Sequence, residues 1–139
     1  MENSENSKKT EALIVEDEID ICFLLTGILR KKDLRTAFVN TIEDAKNSLT
    51  TQNPQILILD NNLPDGFGVD FIKFVKQNNP STKIVMITAN DTSTDRDKAM
   101  KAGANFFIGK PFTRETINNT LDILIASVDE KEFLSRNVD

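Results

Sequence analysis

Apolar residues fall in short blocks along this chain, and the blocks alternate between two periods. Ala12-Leu13-Ile14-Val15 is an unbroken apolar run closed by Glu16-Asp17-Glu18. A short run without alternation predicts a strand buried on both faces. Ile21, Leu24, Leu25 and Ile28 then recur at i, i+3, i+4, i+7, which predicts an amphipathic helix to about Lys32. Thr36 to Val39 predicts a second, weaker strand. Thr41 and Asp44 resemble an N-cap pair, opening a helix whose apolar face carries Ile42, Ala45 and Leu49. Ile56 to Leu59 is the third strand, and it delivers Asp60. Pro64-Asp65-Gly66-Phe67-Gly68 reads as a turn-rich loop, followed by a helix with Phe71, Ile72 and Val75 that Asn78-Asn79-Pro80 stops. Ile84 to Ile87 forms a fourth strand ending at Thr88. The next helix runs from about Ser93 to a terminating Gly103. Phe106 to Ile108 is the fifth strand, before Lys110-Pro111. Thr113 can cap a last helix with Ile117, Leu121, Leu124 and Ile125 on one face.

Five repeats of strand then helix predict an α/β protein with a parallel sheet covered on both faces. The pattern fits a single domain over residues 11–128. Residues 1–10 form a polar lead expected to be disordered, and residues 129–139 form a tail too short for an output domain.

Composition narrows the chemistry. The 139 residues are 39% hydrophobic and 28% charged, as in an ordinary globular domain. The longest apolar runs are far too short to cross a bilayer, and the first ten residues lack a signal-peptide core. One cysteine, Cys22 between Ile21 and Phe23, excludes an internal disulfide and reads as a small core residue. A reducing, cytoplasmic setting is expected. The net charge of −5 argues against gripping a nucleic-acid backbone. The compact basic run Arg30-Lys31-Lys32 sits at a helix end, where it complements the dipole. The chain has no histidine, which excludes Ser-His-Asp and Cys-His catalysis and His-ligated zinc. Any phosphohistidine must come from another protein.

In an open α/β sheet, ligands bind beyond the carboxyl ends of the strands. Those ends carry Glu16 and Asp17, Asp60, Thr88 and Lys110. Three gathered acids repel one another and call for a cation. An all-oxygen set selects a hard ion, Mg²⁺ with Mn²⁺ as a substitute. Asp17 and Asp60 suit direct ligation, and Glu16 an outer-shell role through water. A carboxylate is also a nucleophile toward phosphorus, giving an aspartyl-phosphate. Lys110 would stabilise the phosphoryl oxygens, and the Thr88 hydroxyl would donate to them.

Together these residues resemble the response-regulator receiver family over about residues 11 to 127. The motifs are Leu13-Ile14-Val15-Glu16-Asp17-Glu18, Ile56 to Asp60 with Leu63-Pro64-Asp65 and Gly68, Ile87-Thr88-Ala89, and Gly103-Ala104 with Gly109-Lys110-Pro111-Phe112. The resemblance implies a flavodoxin-like, doubly wound five-stranded parallel sheet of order 2-1-3-4-5 with five helices. It implies Asp60 as phosphoacceptor, a cis Lys110–Pro111 bond, and a backbone carbonyl of Asn62 as metal ligand. Asn62 and Asn90 then occupy positions that tune the acyl-phosphate lifetime, and Phe107 stands where the family often has a switching Tyr. The implied phosphodonor is a sensor histidine kinase or histidine phosphotransfer protein. The implied output surface is the face of the fourth helix, fifth strand and fifth helix, which would bind a downstream protein and could serve a homodimer. Neither nucleic acid nor membrane is expected to bind this domain. Two alternatives stay open: a degenerate receiver acting as a phosphorylation-independent interaction module, and a haloacid-dehalogenase-type phosphatase. The second wants an Asp where Asn62 stands. The expected protein is otherwise no multiple-turnover enzyme.

Overall fold

Five parallel strands lie in the order β2-β1-β3-β6-β7, the 2-1-3-4-5 order of the flavodoxin-like fold. They are β1 (Ala12–Val15), β2 (Thr36–Val39), β3 (Ile56–Asp60), β6 (Lys83–Thr88) and β7 (Phe106–Gly109). Five helices alternate with them: α1 (Ile19–Arg30), α2 (Ile42–Thr51), α3 (Gly68–Asn78), α4 (Ser93–Ala102) and α5 (Arg114–Arg136). The computed structural model describes residues 9–89 and 91–136, with side chains as far as Ser127. Asn90 and the ends 1–8 and 137–139 lie outside the described residues. α5 continues to Arg136, into the segment 129–139 that the sequence pattern sets apart as a tail. Among the described residues, no helix is long and apolar enough to cross a membrane.

Strand alternation divides the core in two. Leu13, Val15, Leu57, Leu59, Ile84, Met86 and Phe107 face one side, with Ala45 and Leu49 of α2, Phe71, Ile72 and Val75 of α3, and Ala99 of α4. Ala12, Ile14, Ile56, Ile58, Val85, Ile87 and Ile108 face the other, with Leu25, Ile28 and Leu29 of α1 and Ile117, Leu121 and Leu124 of α5. Both faces of the three central strands are covered, which is why they read as unbroken apolar runs. β2 lies at the edge and is only partly buried, so its sequence signal is weaker.

The helix ends follow local chemistry. Thr41 Oγ1 accepts the Asp44 N–H at 3.0 Å, Thr92 Oγ1 that of Asp95 at 3.1 Å, and Thr113 Oγ1 that of Thr116 at 3.0 Å. Thr41→Ala is expected to cost about 1 kcal/mol in urea unfolding, the usual value of such a cap. Gly103 closes α4 at φ 124°, where a side chain would be strained and a Cβ would lie 3.1 Å from Lys76 Cγ. At the end of α1, Lys32 Nζ pairs with Asp122 of α5 at 2.7 Å.

One stretch departs from expectation. The turn-rich loop after Asp60 contains a two-stranded antiparallel ribbon, β4 (Asn62–Leu63) and β5 (Gly66–Phe67), turned by Pro64-Asp65. Its strands are too short to carry a period. Leu63 is buried and Gly66 takes φ 154°, and these anchor the ribbon to the core and permit the turn.

Candidate functional site

β1 and β3 are neighbours with Val15 opposite Leu59. The residues that follow each of these therefore emerge side by side at the carboxyl edge. Carboxylate oxygens of Glu16, Asp17 and Asp60 lie within 4.8 Å of one another. Glu16 and Asp60 are buried, at 2% and 3% exposure, whereas Asp17 is exposed.

Lys110 arrives from the far side. β7 pairs with β6 so that Gly109 faces Thr88, and the Lys110 N–H donates to the Thr88 carbonyl at 2.8 Å. The Lys110–Pro111 bond is cis, as the receiver resemblance implies. The Lys110 ammonium lies 3.0 Å from Glu16 Oε1, 3.0 Å from Glu18 Oε1 and 3.5 Å from Asp60 Oδ1. Three acids thus share one cation.

Burial raises the Glu16 carboxyl from 4.5 to about 7, with the Asp60 charge adding to it. The Glu18 N–H and Lys110 only partly oppose the rise. Burial likewise raises Asp60, against the pull of Lys110. Burial works to lower Lys110, but its hydrogen bonds to Glu18 and Glu16 and the Asp60 charge outweigh that and raise it. The ammonium stays charged at neutral pH.

Thr88 ends β6 at 1% exposure, one residue past Ile87, which faces Asp60. Phe107 is buried in β7 opposite Met86. The Arg96 guanidinium lies 4.8 Å from the centre of its ring, and Nη1 donates to the Phe107 carbonyl at 3.2 Å. Asn62 is exposed, and its N–H reaches Asp60 Oδ1 at 3.4 Å. Asn90 falls outside the described residues.

Several residues outside the acidic cluster position it through bonds to backbone groups. Asn40 Nδ2 and Cys22 Sγ both donate to the Glu16 carbonyl, at 2.8 and 3.2 Å, and fix the end of β1. Asn61 Oδ1 takes the Val69 N–H at 3.0 Å, tying the end of β3 to the start of α3. Asp65 accepts the N–H groups of Ile42 and Glu43 at 2.9 and 3.0 Å, and these two bonds hold its carboxyl below the usual range. Each bond joins positions that the tertiary fold brings together, so spacing gives no signal for it.

The family model of the response regulator receiver domain matches residues 12–122, and the chain belongs to that family. It is 36% identical over 103 residues to the response regulator protein PilR of Pseudomonas aeruginosa, covering 74% of this chain and 23% of PilR. It is 35% identical over 125 residues to the transcriptional regulatory protein CssR of Bacillus subtilis, covering 89% of this chain and 55% of CssR. The chain thus spans from about a quarter to just over half the length of these relatives. Among solved structures, a CheY-like receiver from Methanospirillum hungatei superimposes with TM-score 0.78 at 22% identity, covering 90% of this chain and 98% of that one. The receiver domain of sensor histidine kinase PA1611 from Pseudomonas aeruginosa, with a magnesium ion coordinated in its active-site cleft, gives TM-score 0.75 at 26% identity, covering 86% and 99%.

Proposed function

We propose that this chain is a phosphoacceptor switch in which Asp60 takes a phosphoryl group from a phosphohistidine on a sensor histidine kinase or histidine phosphotransfer protein. The observation that carries the reading is the acidic pocket of Glu16, Asp17 and Asp60 with the Lys110 ammonium at its edge.

The donor set suits a hard divalent ion, Mg²⁺ or in its place Mn²⁺. The cluster is all carboxylate oxygen, and the adjoining thiol of Cys22 is pushed up to about 11 by burial and the charges of Glu16 and Asp17, so it stays protonated. Asp17, Asp60 and the Asn62 carbonyl would hold the ion. Glu16 is already engaged, with Oε1 on Lys110 and Oε2 on the Glu18 N–H, and it would act from the outer shell. The magnesium ion in the active-site cleft of the PA1611 receiver supports the choice of ion. When bound, the ion offsets negative charge on the transferring group.

The chain's own residues do the rest. An Asp60 oxygen bonds to phosphorus as the P–N bond to the donor imidazole breaks, and the nitrogen keeps the electron pair. Lys110 stabilises the phosphoryl oxygens, and the Thr88 hydroxyl donates to them. Movement of Thr88 frees Phe107 to change rotamer, and the face of α4, β7 and α5 changes for a downstream protein or a second copy of the chain. Asn62 and Asn90, at the sequence positions where the family tunes the acyl-phosphate, would set its hydrolysis rate. The chain modifies itself and turns over no separate substrate. A cytoplasmic setting fits such a donor, and neither nucleic acid nor membrane is expected to bind this domain. CssR is named as a transcriptional regulatory protein, and a receiver of this kind would gate such an output where one is attached.

Acetyl phosphate with Mg²⁺ is expected to add one phosphoryl group by intact mass, and Asp60→Asn to abolish the adduct. A folded, Mg²⁺-bound protein that stays unlabelled would overturn the reading. Labelling that survives Asp60→Asn would move the site elsewhere.

A further inference from the structure

We infer that Glu18 is a positioning residue that sets the resting place of the Lys110 ammonium, and through it the rate at which Asp60 is phosphorylated. The inference rests on the reading of Asp60 as phosphoacceptor.

Lys110 and Asp60 are the pair that must meet across the phosphoryl group. At rest they are not the closest pair. The ammonium is 3.0 Å from Glu16 and from Glu18, but 3.5 Å from Asp60. An ammonium has three protons, and two are directed at the glutamates. The two holders differ in kind. Glu16 is buried, and its second oxygen is fixed by the Glu18 N–H at 3.1 Å, so it cannot follow Lys110 or let it go cheaply. The Glu18 side chain is 61% exposed and can turn into water at little cost.

Glu18 also has no competing task. It stands at the N-cap of α1, yet its side chain caps no N–H of that helix. It instead spans 92 residues of sequence to reach Lys110. An exposed pair of this sort is weak and screened, so it biases the lysine without locking it. A phosphoryl group arriving on Asp60 brings new anionic oxygens, and the ammonium exchanges Glu18 for one of them. Glu18 therefore opposes the forward step by the strength of one exposed ion pair. That predicts a change in rate with little change in metal binding, because Glu18 is not one of the three clustered ligands.

The test uses the full chain and acetyl phosphate at saturating Mg²⁺. In this reaction an Asp60 oxygen bonds to phosphorus as the P–O bond to acetate breaks, and acetate leaves with the electron pair. Glu18→Ala keeps the backbone N–H that holds Glu16. Asp20→Asn, an exposed acid in the first turn of α1 that pairs with no Lys110 contact described above, removes the same charge nearby. Glu18→Ala is expected to label about 2- to 5-fold faster, the range an exposed pair allows. It should also shift the Lys110 side-chain ¹⁵N resonance and leave the Mg²⁺ affinity from NMR titration within about twofold. Asp20→Asn is expected to do none of these. Equal acceleration by Asp20→Asn would assign the effect to bulk charge and overturn the inference, as would an unchanged or slower rate in Glu18→Ala. An Mg²⁺ affinity that moves as far as the rate would assign it to the metal and overturn it too. If the wild type fails to label, the phosphoacceptor reading falls. An unmoved Lys110 resonance in Glu18→Ala sinks the positioning role whatever the labelling.

Discussion

Gly68→Ala is expected to destabilise the domain by about 4 kcal/mol or more, a cost reached only when a substitution has no room to relax. Gly68 is the first residue of α3 and its backbone is packed against the end of β3. A Cβ there would overlap the Asp60 carbonyl oxygen and stand 3.0 Å from both the Asp60 carbonyl carbon and Leu59 Cγ. None of these can step aside. Asp60 and Leu59 belong to the central strand, paired to β1 on one side and β6 on the other, and Leu59 is fully buried. The helix cannot retreat either, because the Gly68 N–H is bonded to the Asn61 carbonyl at 2.8 Å. Relief would have to move Asp60 itself, so whatever fraction folds should also label poorly. Gly27→Ala is the control. It lies on the exposed side of α1 with nothing within 4 Å of a new Cβ, and alanine there should stabilise by about 0.5–1 kcal/mol. Denaturant unfolding of the two variants checks both signs. A Gly68→Ala protein as stable as wild type would show that this close approach is not a constraint.

Gly68 also shows what could be read in advance. Its spacing from Asp60 marks a motif, but the reason for a glycine lies in backbone contact that spacing does not express. The same division holds elsewhere. β1 and β3 are legible because both faces are buried, and Thr41 and Thr113 because a cap acts within four residues. Cys22 reads as a small core residue and is buried against the Glu16 carbonyl. The acids of the pocket are legible because strand ends in this fold class share one edge. The bonds of Asn40, Asn61 and Asp65, and the reach of Glu18 to Lys110, are not. They join positions whose separation is set by the tertiary fold, and polar residues of these types are common in any loop. The ribbon of β4 and β5 was hidden for another reason, since two-residue strands have no period to detect.

The metal-free protein is expected to lose stability as pH rises from about 4.5 to 7, contrary to the usual behaviour of paired carboxylates. The sign follows from Glu16. Its carboxyl ionises at about 4.5 in the unfolded chain and at about 7 in the fold, because burial dominates and one ammonium serves several acids. Between those values the unfolded chain binds fewer protons than the folded one, so each step up in pH favours unfolding. For a group this buried the window corresponds to about 3 kcal/mol. Asp60, also raised by burial, adds in the same direction. Lys110 does not offset this. Its raised value contributes stability that is complete below about 10.5 and lost only above it. Asp65, lowered from 3.8, loses its contribution only on acidification below that value. A divalent ion should reverse the trend, since it binds the deprotonated carboxylates and stabilises the folded state by mass action. Thermal unfolding in EDTA is therefore expected to fall in midpoint from pH 5 to pH 7, and the gain on adding millimolar Mg²⁺ to be larger at pH 7 than at pH 5. Glu16→Gln should flatten the EDTA curve. A midpoint that instead rises through this window without metal would mean that Lys110 outweighs burial at Glu16. The pocket would then be a settled ion-pair network, without the strained acids on which the proposed cation and phosphoryl roles depend.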